Sequence, residues 1–151
     1  MESDSTCIVQ YLVSCQMARK LIDAGIAEAD RRGVALSFAV VDTAGHLVAS
    51  ARMDGAPFVT VEVARGKAFA CAATGGQPGD NLDQRYRENP MVWGNASALG
   101  YGAPMLPAIG SLPIRIDGRV IGAIGASGAP SAVDVAVITA ALDAVVSSTG
   151  N

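Results

Sequence analysis

Hydrophobic and polar positions change period several times along this chain, and each change marks an element. After a short extended piece, CIVQYLV, apolar residues recur at three- and four-residue spacing as Met17, Leu21, Ile22, Ile26 and Ala29. That spacing predicts an amphipathic helix with Ser14 as N-cap and Gly33 as C-cap. VALSFAVVD then reads as a strand, TAG as a turn and HLVASAR as the returning strand. Residues 59–74 read as a second helix. On it Thr60, Ala64, Lys67, Cys71 and Thr74 share one face, and Val59, Val63, Gly66, Ala70 and Ala73 share another, which the pattern assigns to the core. GGQPG breaks that helix, DNLDQRYREN gives a short polar one, and residues 90–110 read as a long Gly/Pro-rich loop.

The sharpest local signal is LPIRIDGRVIGAIGAS, where two apolar runs flank Asp117-Gly118. Asp-Gly is a preferred pair for a two-residue hairpin turn, so residues 112–116 are expected to pair with 119–125. The last segment, SAVDVAVITAALDAVVSS, reads as a helix capped by Ser131, with Asp134 as the acid of a capping box. Hairpins demand antiparallel pairing, and helices alternate with them. The expected class is therefore α+β, an antiparallel sheet covered by helices.

Length and charge narrow the picture. A chain of 151 residues is expected to form a single domain over residues 1–151. Half of its residues are hydrophobic and only 17% are charged, which leaves little polar surface and points to a homo-oligomer. The net charge of −3 and the scattered Lys and Arg residues provide no basic face, so no nucleic-acid partner is expected. Cys7, Cys15 and Cys71 are odd in number and share no C-x-x-C spacing, which argues against a disulfide framework and a zinc site. MESDSTC is acidic and polar, so no signal peptide is expected. Pro130, Asp134 and Asp143 interrupt the apolar C-terminal third, so no membrane span is expected either. The cytoplasm is the expected compartment.

Candidate chemistry gathers at three places. In SARMDGAPF, Arg52 and Asp54 are either solvated residues of a strand-end turn or a site wall, with Arg52 as a carboxylate fork and Asp54 orienting it. Asp42, at the end of the preceding strand, is either a turn opener or a second acid. Lys67 is either a pocket cation or a surface lysine with its stem laid over Ala64. The turn GAIGASGAPS, with Gly125, Ser127 and Gly128, leads into a helix N-terminus. It is either an anion cradle or a device for close strand–helix packing. His46 is the one histidine, which by count excludes a catalytic triad or a multi-histidine metal site. Any other metal role is left unknown.

AVVDTAGHLVASARMDGAP, ARGKAFACAAT and LPIRIDGRVIGAIGASG, closed by a helix, together resemble the HbpS/GlcG-like family, whose domain also forms the C-terminus of PduO-type proteins. The resemblance spans roughly residues 10–148. It implies a profilin-like α+β fold, homo-oligomers, ligand pockets near or between subunits, and haem binding in some members. It carries over Asp42, Arg52, Met53, Asp54, Gly55, Lys67, Gly125, Ser127 and Gly128. Two stretches depart from the family habit. GSLPI stands where GGxPI is common, and VDV stands where QDE is common, keeping Asp134 without its polar neighbours.

Three functions follow as expectations. The first is a small-ligand-binding protein with haem as its possible cofactor, using Arg52 and Lys67 for propionates. His46, a Cys, a Met or a Tyr would be the available axial donor. The second is a cofactor-independent isomerase, hydratase or decarboxylase, with Asp54 or Asp42 as acid or base and Arg52 as anchor. The third is an assembly subunit without a ligand. Whether the protein is an enzyme is left open by its residues.

Overall fold

The computed structural model describes residues 6–147. The order of elements is α1 (Cys15–Arg32), β1 (Ser37–Asp42), β2 (Leu47–Arg52), α2 (Val59–Ala73), α3 (Gly79–Glu88), α4 (Pro90–Ser97), β3 (Ser111–Ile116), β4 (Arg119–Ser127) and α5 (Ser131–Val146). The four strands form one sheet in the order β2-β1-β4-β3, antiparallel throughout. Two hairpins are thus joined side by side through β1 and β4. The α+β class read from the hairpin signals holds.

Alternation along the central strands sends successive side chains to opposite faces. Phe38, Val40, Ile124 and Ala126 join the large core with Leu21 and Ile22 of α1 and Val137 and Ile138 of α5. Val41 and Ala123 meet Ala68, Cys71 and Ala72 of α2 on the other side. The sheet is therefore the middle layer, with α1 and α5 on one face and α2 on the other. β1 is buried along its whole length, which is why SFAVVD is apolar almost without a break.

Local chemistry sets the connections. Ser14 Oγ accepts the Met17 N–H at 3.0 Å and starts α1, and Gly33 caps its end. Asp117 and Gly118 take φ of 51° and 75°, the doubly left-handed pair of a hairpin turn whose twist suits antiparallel strands. The register runs from Ile116–Arg119 to Ser111–Gly125, as the apolar runs predict. A bulge at Ile114/Arg115 breaks the ladder, and the Val13 N–H fastens the N-terminal segment to Ile121 O at 2.8 Å.

Three expectations are corrected. Residues 90–110 are not loop throughout, because α4 occupies Pro90–Ser97. Asn89 ends α3 through its N–H to Arg85 O, and its side chain accepts the Val92 N–H at 3.4 Å, so one residue closes one helix and caps the next. Pro90 then suits the first helical position. Ser131 is the first residue of α5 rather than its cap, and the capping position belongs to Pro130. Of the α2 face that the sequence pattern assigned to the core, Gly66 and Ala70 are buried but the two ends are not, and the other face is buried as well. Thr60, Ala64, Lys67 and Cys71 are buried, whereas Val59 and Ala73 are exposed. The reason is steric. A Cβ added at Gly125 would lie 2.2 Å from Ala64 O, so helix and strand backbones nearly touch. At that distance only small residues such as Ala64 and Ala68 fit directly against the strand, and the longer Lys67 extends past them.

Candidate functional site

Lys67 lies on that contact face and is only 6% exposed. Its Nζ donates to Ala126 O at 3.0 Å and meets Asp134 Oδ2 at 3.4 Å. A Cβ at Gly110 would lie 2.7 Å from the same Nζ. The bare backbone at Gly110 therefore leaves the channel by which a lysine from one face of the sheet reaches α5 on the other. Asp134 is 2% exposed, and its second oxygen, Oδ1, accepts the Ala129 N–H at 3.2 Å. Burial pushes the Asp134 carboxyl above its ordinary value, while the Lys67 charge and the Ala129 N–H pull it down without cancelling that push. Lys67 is thus neither a surface lysine nor an unpaired pocket cation. It ties α2, β4 and α5 together, and Asp134 is its partner rather than the acid of a capping box.

The Gly-rich turn has the same character. The N–H of Ala129, ahead of α5, is taken by the chain's own Asp134 carboxylate. Gly125 admits the α2 backbone, and Gly128 approaches Ala35 O closely enough that a Cβ would sit 2.7 Å from it. Ser127 is buried and pairs across the ladder with Ser37, which pairs in turn with Arg52. Residues directly opposite one another project to the same side, so Arg52, Ser37 and Ser127 form one row on the α2 face. Ser37 Oγ completes a 2.8 Å hydrogen bond with Thr60 Oγ1 at the start of α2.

SARMDGAPF follows that row as a pinned turn. The Met53 N–H donates to Leu36 O at 3.0 Å, the Leu36 N–H returns to Met53 Sδ at 3.3 Å, and the Ala56 N–H donates to Met53 O at 3.1 Å. Arg52, Asp54 and Gly55 are exposed. Among the described residues Arg52 and Asp54 form no ion pair with each other, and the acid beside Lys67 is Asp134. Asp42 opens the first hairpin turn, where its Oδ1 accepts the Ala44 N–H at 2.9 Å and the His46 N–H at 3.1 Å. That is the local job an aspartate performs at the start of a turn.

A cavity of about 280 Å³ lies at the turn end of the same hairpin, between residues 44–47, α2 and residues 101–103. His46 stands at its edge with its side chain 82% exposed and Nδ1 3.8 Å from Asp42 Oδ2. Phe69 and Tyr101 form an aromatic wall, with ring centroids 5.4 Å apart. Arg65 of α2 also lines the cavity. Periodicity pointed to His46 only as a turn residue and passed over Arg65 altogether. The usable signal was the four-residue step from Arg65 to Phe69, which stacks the cation and the ring on one helix face. No group of three or more His, Cys, Asp or Glu among the described residues is arranged to hold a metal ion. Burial pushes the Cys71 thiol up to about 12, so it is no nucleophile.

The family model described as "Haem degrading protein HbpS-like" matches residues 13–143. The chain belongs to the HbpS-like family. It is 36% identical over 119 residues to protein GlcG of Escherichia coli strain K12, covering 78% of this chain and 83% of that protein. A crystal structure of HbpS is similar with a TM-score of 0.80 and 26% identity, over 96% of this chain and 97% of the other. A crystal structure of a PduOC–haem complex shares the fold, with a TM-score of 0.77 and 24% identity over 89% and 95% of the two chains. No helix among the described residues is long and apolar enough to cross a membrane.

Proposed function

We propose that this HbpS-like protein binds a small anionic ligand and that the ligand is haem. The observation that carries the reading is the family match over residues 13–143, whose description is haem-related. A relative of the same fold is known as a haem complex, which agrees with it.

The residues at the hairpin turn fit such a group. A haem protein needs a donor for the iron, an apolar wall for the macrocycle and a cation for a propionate. His46 supplies an exposed imidazole, Phe69, Tyr101 and Leu47 supply the wall, and Arg65 supplies the cation. A cavity of about 280 Å³ accommodates one edge of a macrocycle. The rest of the ring would lie against the surface or against a second subunit. Arg52 and Asp54 are proposed as further surface contacts at the open end of the hairpin. Lys67, Gly125, Ser127 and Gly128 support the site through the frame behind it.

Hemin titration followed by absorbance tests the reading. A saturable Soret band is expected, weakened and shifted in His46→Ala and weakened in Arg52→Ala. A spectrum identical to that of free hemin at every ratio overturns it. Mass measurement of any copurifying small molecule would then name the ligand directly.

A further inference from the structure

Eight of the nine arginines are exposed, and Arg65 is the exception. It is half-buried on α2, its Nε is shielded from solvent without a hydrogen-bond partner, and no ion pair among the described residues includes it. A guanidinium is a planar fork of five donors, and a shielded donor left unmade is costly. No acid lines the cavity that Arg65 faces. The contrast with Lys67 two residues later is instructive, because that buried cation has its own carboxylate in Asp134.

Most of the other side chains that line the cavity are apolar, and the cavity is held in shape. Gly45 lies so close to Phe69 that a Cβ would fall 2.6 Å from the ring, so the hairpin turn is packed on the aromatic face. The Tyr101 hydroxyl donates to Ala96 O at 2.8 Å. That bond uses the hydroxyl and fixes the ring, leaving its face for the cavity. Leu47 adds an exposed aliphatic wall. His46 adds an exposed imidazole at the rim.

We infer that this cavity is a carboxylate-binding site, in which Arg65 receives the carboxylate bidentately and Phe69, Tyr101 and Leu47 receive the planar apolar group that bears it. The chemistry belongs equally to an aryl or unsaturated carboxylic acid and to a propionate of a tetrapyrrole. It holds whether or not the protein binds haem.

The test titrates benzoate, with neutral benzamide as control, into the full chain and into Arg65→Gln and Arg65→Lys, following backbone amide shifts. Saturable shifts at residues 44–47 and 101–103 are expected with benzoate and not with benzamide. Affinity should fall on the order of ten- to a hundredfold in Arg65→Gln, with Arg65→Lys in between because it keeps charge but loses the fork. Hemin and hemin dimethyl ester form the second arm. Arg65-dependent hemin binding that esterification weakens assigns the carboxylate to a propionate, whereas Arg65-dependent benzoate binding with indifferent hemin assigns it to a small acid. Benzoate binding through Arg65 in a chain that ignores hemin refutes the haem reading and supports this one. Binding of both ligands unchanged in correctly folded Arg65 variants, or binding of neither, overturns it.

Discussion

Asp134→Ala removes one partner of a buried pair and leaves the Lys67 ammonium 6% exposed with Ala126 O as its remaining contact. Breaking a buried ion pair from one side costs about 3–5 kcal/mol, because the surviving charge stays desolvated. The Ala129 N–H loses its acceptor as well. A domain of this size has about 5–15 kcal/mol in total, so the variant should lose roughly a fifth or more of its stability and melt on the order of 10 °C lower. The pair as a whole is a different matter. Burial already raises the Asp134 carboxyl despite the nearby lysine, so desolvation offsets much of the attraction. Lys67→Met combined with Asp134→Leu should therefore lie within about 1–3 kcal/mol of the parent, the cost of the unpaired Ala129 N–H, and above either single variant. Urea denaturation at constant m-value measures all four corners of the cycle. Losses below about 1 kcal/mol in both single variants, or a double variant worse than their sum, would refute the picture of a sequestered charge pair.

Four other outcomes are expected. The raised Asp134 carboxyl holds its proton to higher pH folded than unfolded, so its contribution is fully present below the ordinary value of 3.8 and is lost as pH rises through the folded value; Asp134→Asn should lack that slope in a pH series of urea midpoints. Glu28 has the opposite sign: Arg31 and Arg32 hold it at about 2 against 4.5, so its stabilisation is present above 4.5 and lost toward about 2, and Glu28→Gln should remove that segment. Ellman's reagent should titrate the exposed Cys7 and Cys15 in the native protein and Cys71 only after denaturation, and three fast thiols would contradict the buried Cys71. Sedimentation at micromolar concentration should show a homo-oligomer, because Phe58, Met91 and Leu99 are each more than 70% exposed; a species of 15.3 kDa alone would rule it out.

Elements governed by neighbours in the chain were legible in the sequence. Ser14 and Gly33 bracket α1, Asp117-Gly118 turns the second hairpin, and the Asp42 carboxylate closes the first turn on nearby backbone N–H groups, all within a few residues. The family was legible too, because two of its three motifs lie in those same hairpins. The α4 helix was missed because Gly and Pro read as loop, while its stability comes from Asn89 serving two helix ends at once. The second buried face of α2, which carries Lys67, was missed for a deeper reason. Hydrophobicity ranks Val59 and Val63 above Lys67, but the strand at Gly125 admits only small residues beside it, and the gap at Gly110 lets Lys67 reach Ala126 O and Asp134. Only the tertiary structure brings Asp134 across 67 residues to Lys67, and only it shows that Arg65, two residues away, has no such partner. Charge pairing of that range depends on how the sheet and α5 are stacked, and no local pattern along a chain encodes which of two nearby cations the fold will neutralise and which it will leave for a ligand.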